Sequence, residues 1–240
     1  MRAMVIVFDC DGTLVDSQHA IRAALARAFA RHDLVPPDLA AVRRIVGLSL
    51  DEAMESLLSL TAQQGDPRRL AEGYREAFME IRRTQEGDHD FEPLYEGIGE
   101  LIAELADAGA RLGIATGKSR RGIAATLARH GLAQYFDTVQ TADTHPSKPH
   151  PAMLETACAE LGADPAETVL VGDTRFDVEM AQRAGAHAIG VAWGYHEPTE
   201  LLEMGAAAVA SSADEIPTFV RQLLAGEGRG NAKGETRQQR

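Results

Sequence analysis

The chain has 240 residues, 45% hydrophobic and 25% charged, with a formal charge of −12. That length holds one large domain or two small ones around a real core, and the composition excludes wholesale disorder. The acidic balance argues against nucleic acid as a bulk electrostatic partner, and no apolar run approaches the ~18 residues that span a bilayer. The opening run Val5–Phe8 is short, apolar and β-branched, as in strands buried on both faces of a parallel sheet. It ends abruptly at Asp9-Cys10-Asp11-Gly12-Thr13. A helical stripe follows, with Ile21, Ala24, Leu25, Ala28 and Phe29 on one face, until Pro36-Pro37 breaks it. Further helical patterns run over about 39–45, 50–60 and 70–81, with nothing strand-like between them. Residues 17–92 are therefore expected to form an all-helical insert.

After Pro93 the texture alternates. A helical pattern with Ile98, Leu101, Ile102 and Leu105 stops at Gly109, a C′ glycine. A strand is expected at 111–115, a helix over 120–130 closed by Gly131, and a strand within 136–142. Pro151 suits the first turn of a helix that runs to Leu161 and stops at Gly162. Thr168–Val171 is the most strand-like run, followed by a helix over 176–184, Gly185, and a last clear strand at 188–191. Alternation in units of about 30 residues predicts an α/β fold with a doubly wound parallel sheet. The expected division is a core of 1–16 and 93–225, the helical insert of 17–92, and a mobile Gly-rich tail of 226–240. Two cysteines, Cys10 and Cys158, make no disulfide framework, and no signal-peptide pattern precedes the first strand. The expected compartment is the cytoplasm.

Ligands of an open parallel sheet bind beyond the carboxyl ends of its strands. Standing there are Asp9 and Asp11, then Thr116-Gly117-Lys118-Ser119, then Asp173 and Asp177, with Ser147-Lys148-Pro149 in between. If the sheet forms, four acids converge with a lysine and a hydroxyl. Two carboxylates ~4 Å apart repel by about 4 kcal/mol at an effective dielectric of about 20. Such a cluster must protonate or hold a divalent cation. Carboxylate oxygens without His or Cys neighbours favour Mg²⁺ over Zn²⁺, and Mg²⁺ also takes substrate phosphates. Asp9, beside a glycine turn, can act as a nucleophile and form an aspartyl-phosphate, with Asp11 as general acid and base. The Thr116 hydroxyl and backbone N–H groups near Gly117 can cradle phosphate oxygens. Lys148 supplies a compact positive charge against the transferring group.

Asp9-Cys10-Asp11-Gly12-Thr13-Leu14-Val15-Asp16 resembles the first motif of the haloacid dehalogenase superfamily. Thr116, Lys148 and Gly172-Asp173…Asp177 stand, in order, where its second, third and fourth motifs fall. The resemblance covers nearly the whole chain and implies a Rossmann-like core with an inserted all-helical cap domain. It implies Mg²⁺ held by Asp9, the Asp11 backbone carbonyl and Asp173, with Asp177 helping mainly through water. The second Asp of the first motif marks phosphatases and phosphomutases rather than dehalogenases. Overall texture, including Ile45-Val46-Gly47-Leu48-Ser49-Leu50, looks most like phosphoglycolate phosphatases. The implied partner is a small phosphorylated metabolite, and both a monomer and a homodimer are compatible. A cap loop over the site would carry Arg43 and Arg44, and Arg44 is taken as a substrate-carboxylate ligand.

Other readings compete at single positions. Thr116 could cap the next helix, and Asp177 could serve a helix dipole. Cys10 and Cys158 read as packed core thiols, and Trp193-Gly194-Tyr195-His196 as packing at the pocket border. A phosphomutase of the β-phosphoglucomutase type, an inorganic pyrophosphatase or a nucleotidase would share the core. A binding module without chemistry would have no reason to keep a mutually repelling cluster.

Overall fold

The structure is a computed structural model that describes residues 4–84 and 91–226. Six parallel strands form one sheet in the order β3-β2-β1-β4-β5-β6. They are β1 (Val5–Phe8), β2 (Arg111–Thr116), β3 (Thr138–Thr141), β4 (Thr168–Gly172), β5 (His187–Val191) and β6 (Ala208–Ala210). β1 sits at the centre because all four of its residues are apolar and buried, so it tolerates neighbours on both edges and helices on both faces. Strand order reverses between β1 and β4, which opens a crevice at their carboxyl ends.

Alternation along the strands splits the core into two layers. Ile6, Phe8, Ile114 and Val171 pack with α5 (Ile98–Asp107), α6 (Arg120–Arg129) and α10 (Ile216–Gly226). Val5, Val7 and Leu170 face the other way, onto α7 (Ala152–Glu160), α8 (Arg175–Ala184) and α9 (Pro198–Glu203). The expected strands and helices of residues 98–191 all form. Gly109, Gly131, Gly162 and Gly185 take positive φ behind their helices. β6, α9 and α10 lie beyond the last strand expected from the sequence. Ala208-Val209-Ala210 is too short and alanine-rich to read as a strand alone; its pairing with β5 makes it one. α10 extends one residue past the boundary expected at 225, and the expected tail otherwise lies outside the described residues.

Between β1 and α5 the described chain is helical: α1 (Gln18–Arg31), α2 (Leu39–Arg43), α3 (Leu50–Leu60) and α4 (Pro67–Thr84). All five stripe residues of α1 are buried, and the helix ends before Pro36-Pro37. α2 is shorter than the expected 39–45 because the chain turns through Gly47, at φ +98°. α4 is longer than the expected 70–81. These helices share their own core, with Leu25, Phe29, Met54, Leu57 and Leu70 at its centre. The chain leaves and re-enters the sheet region side by side. The Asp16 N–H donates to the Pro93 carbonyl at 2.8 Å, and the Tyr95 N–H to the Leu14 carbonyl at 3.1 Å.

Leu57 has no exposed surface. Leu57→Ala should destabilise the chain by about 2–5 kcal/mol, as for other fully buried leucines. Urea unfolding followed by circular dichroism measures it; a loss under about 1 kcal/mol would mean that the helical core collapses onto the cavity.

Candidate active site

Asp9 follows β1 directly, and its N–H donates to the Val171 carbonyl of β4 at 2.9 Å. That bond fixes the nucleophile candidate at the crevice where strand order reverses. The next turn passes through Gly12 at φ +85°, where a Cβ would lie 2.2 Å from an oxygen of Asp173. Glycine is required there on both counts, backbone conformation and close approach. Thr13 then donates its hydroxyl to Asp173 Oδ1 at 3.0 Å, and the Tyr195 N–H donates to Oδ2 at 2.8 Å. The loops after β1, β4 and β5 are thereby tied together through one carboxylate.

Asp177 is at the third position of α8 and forms a reciprocal capping box with Thr174. Its Oδ2 accepts from the Thr174 N–H at 3.1 Å and the Thr174 hydroxyl at 2.6 Å. Its Oδ1 accepts from Lys148 Nζ at 2.6 Å. The dipole reading and the functional reading of Asp177 thus describe the same side chain. Lys148 Nζ also lies 2.7 Å from Asp9, and the lysine is fully buried. Asp9, Asp173 and Asp177 each bring a carboxylate oxygen within 4.8 Å of the others. Both Asp9 oxygens are buried and lack a hydrogen bond of good geometry, even with the ammonium alongside. Asp173 and Asp177 accept from hydroxyls and backbone N–H groups, whereas the close partner of Asp9 is Lys148, on Oδ1, and its Oδ2 has none.

Burial dominates the electrostatics. Burial, opposed by Lys148 and reinforced by Asp177, raises Asp9 from its ordinary 3.8 to about 7. Asp173 is also raised well above the carboxylate range, by burial and then by Asp9 and Asp177. For Lys148 burial opposes the charge, but Asp177 and Asp9 outweigh it and hold the ammonium above the usual lysine range. Three carboxylates against one ammonium leave an excess of two negative charges. Hard oxygen donors, this excess and the unpartnered Asp9 Oδ2 suit a small divalent cation such as Mg²⁺.

The remaining expected residues are placed as follows. Thr116 ends β2, is buried, and accepts the Lys118 N–H on its hydroxyl oxygen at 3.2 Å. Ser119, not Thr116, caps α6. Gly117 lies beneath the Gly47–Leu48 turn, and a Cβ there would meet the Leu48 carbonyl oxygen at 2.6 Å. The Ser49 N–H donates to the Ser147 hydroxyl at 2.7 Å beside it. These contacts close a cavity of about 810 Å³ that contains Asp9, Asp11, Thr116, Gly117 and Lys118. The Asp11 carboxylate stands apart from the acidic triad, 2.5 Å from Lys118 Nζ. Convergence of four acids on one point is thus corrected to three; the backbone carbonyl is the only group of Asp11 that the resemblance offers to a metal.

Arg44 is not brought to this cavity. It is exposed and lines a neighbouring one of about 910 Å³ with Arg43, Arg175 and Lys148, because α2 ends at Arg43 and the turn to Gly47 sends the next side chain outward. Arg75 and Arg82 of α4 line the cavity of Asp9 instead. Sequence periodicity had no means of selecting them, since basic residues on the polar face of a helix look solvated. Cys10 and Cys158 are buried thiols, as expected. Trp193 donates its indole N–H to the Thr13 carbonyl at 3.1 Å, which makes it part of the loop framework.

Two outcomes follow from this geometry. An acid raised in the folded chain keeps a proton that the unfolded chain has released, so stability falls as pH rises between about 4 and about 7. Metal-free protein should melt at a lower temperature at the upper end of that range, and an unchanged or rising midpoint would contradict it. Gly117→Ala should push the Leu48 turn off the core and lower kcat/KM by about tenfold or more, since small misplacements cost heavily in rate. Steady-state kinetics with a folding check by circular dichroism reads the effect.

A haloacid dehalogenase-like hydrolase family model matches residues 6–191. Probable phosphatase IndB of Dickeya dadantii is 35% identical over 222 residues, 92% of this chain and 94% of the relative. Pyrophosphatase PpaX of Bacillus velezensis is 33% identical, covering 84% of this chain and 93% of the relative. A phosphoglycolate phosphatase of Yersinia pseudotuberculosis is 31% identical, covering 80% and 82%. The chain belongs to the haloacid dehalogenase-like hydrolase family, as an enzyme of its phosphatase group.

Proposed function

We propose that the chain is a Mg²⁺-dependent phosphohydrolase that cleaves a small-molecule phosphate monoester, with 2-phosphoglycolate the first candidate. Residues 1–16 and 93–225 form its catalytic core, and 17–92 its cap. The observation that carries this reading is the buried arrangement of Lys148 against Asp9 and Asp177, with Asp9 Oδ2 left without a partner. A magnesium ion would be held by Asp9, Asp173, Asp177 and the Asp11 carbonyl. Bound there, it would offset the excess negative charge and stabilise charge on the phosphoryl oxygens.

In the first half-reaction an Asp9 oxygen attacks phosphorus and the bond to the ester oxygen breaks. Asp11 gives its proton to the departing alkoxide, leaving an aspartyl-phosphate on Asp9. Lys148, 2.7 Å away, favours the ionised nucleophile and opposes charge growing on the phosphoryl group. The Thr116 hydroxyl and the backbone at Gly117 hold phosphoryl oxygens. In the second half-reaction water attacks phosphorus, its proton passes to Asp11, and the bond to Asp9 breaks. The Gly47–Ser49 turn excludes bulk water while transfer proceeds.

Phosphate release from 2-phosphoglycolate, inorganic pyrophosphate and other phosphoesters, with Mg²⁺ present, tests the reading. Asp9→Asn should lower turnover by about a thousandfold or more with the fold intact. EDTA should abolish turnover, and Mg²⁺ should restore it. Persistent turnover in either case overturns the mechanism. Preference for pyrophosphate would move the assignment to a pyrophosphatase, and conversion of glucose 1-phosphate to glucose 6-phosphate would move it to a mutase.

A further inference from the structure

Glu92 is a buried carboxylate that the steps above do not use; only 3% of its side chain is exposed. It lies on the return crossing from the helical insert, next to Pro93, and its carbonyl is 2.8 Å from His130 Nε2. Its Oε1 accepts from Lys118 Nζ at 2.7 Å, and its Oε2 is 3.4 Å from the Thr126 hydroxyl. The same ammonium donates to Asp11 at 2.5 Å. Burial opposes the charge on Lys118, but Asp11 and Glu92 outweigh it and hold the ammonium well above the usual lysine range. One ammonium thus serves two carboxylates.

The two carboxylates are not equivalent. Asp11 and Lys118 line the catalytic cavity, whereas Glu92 does not. An anion entering the cavity can displace Asp11 from Lys118 but cannot reach the contact behind it. A buried ammonium with a single counter-charge holds that partner tightly, because separation leaves an uncompensated charge. With a second carboxylate fixed at its back, the same ammonium can exchange its front partner at much lower cost.

We propose that Glu92 is a positioning residue: it stays on Lys118 as a fixed counter-charge, so that Asp11 can leave the ammonium, take up a proton from solvent and carry it to the leaving oxygen. Lys118 then takes a substrate oxygen in place of Asp11. The inference rests on Asp11 being the general acid of the proposed reaction. Loss of Glu92 leaves Lys118 with Asp11 alone, and the acid stays bound to it.

Proton donation matters for a poor leaving group and little for a good one, which gives the test. kcat/KM is compared for p-nitrophenyl phosphate and for an alkyl phosphate turned over by the wild type. Glu92→Gln should lower kcat/KM for the alkyl phosphate by about tenfold or more and change it by less than about threefold for p-nitrophenyl phosphate. Removing the ammonium as well, in Lys118→Met/Glu92→Gln, should bring the ratio of the two back toward wild type. This second variant also serves if Glu92→Gln does not fold. Equal losses on both substrates, no loss on either, or a ratio that stays low in the double variant would overturn the inference. If the wild type turns over neither substrate, it is the phosphohydrolase reading itself that fails.

Discussion

A single ammonium, Lys148, organises the centre of the molecule. It is fully buried between Asp9 and Asp177, and a third acid, Asp173, closes the group. No stable fold would place three carboxylates in a dry crevice without compensation. Here the compensation is distributed: Asp177 is satisfied by Thr174 and Lys148, and Asp173 by Thr13 and the Tyr195 backbone. Asp9 is left with Lys148 on one oxygen and no partner on the other, Oδ2. The energetic cost falls on the one group that the proposed reaction uses as its nucleophile.

The sheet makes this possible by bringing distant segments to one line. Thr116 ends one central strand and Asp9 and Asp173 follow two others, and the parallel register of β2, β1 and β4 brings these strand ends together. Loops from opposite ends of the chain then cross-link: Thr13 and Tyr195, 182 positions apart in the numbering, bind the same carboxylate. Gly12 and Gly117 have packing roles at this point. One lets the first loop lie against Asp173, and the other lets the Gly47–Leu48 turn rest on the core.

Much of this was legible in the sequence. The β-branched runs of β1 and β4 and the glycines behind the helices carry local signals strong enough to survive any tertiary context. Asp9, Thr116, Lys148, Asp173 and Asp177 were legible because the topology rule for parallel sheets converts strand ends into a shared location. What escaped was what long-range contact decides. β6 is a strand only through β5, and Arg44 is turned away by a loop whose path no periodicity encodes. Glu92 gave no signal, since an acid before a proline reads as a solvated linker residue. Its importance comes from Lys118, 26 positions away.

The insert departs and returns through strands of chain that are hydrogen-bonded to each other at 14–16 and 93–95. To the sheet, everything between those two crossings is equivalent to a short closed loop. Helices there can lengthen, shorten or be replaced without moving any strand register beneath them. A scaffold of this kind lets the helices vary while the sheet keeps its register, with the Gly47–Ser49 turn and Glu92 as points where the insert still bears on the site.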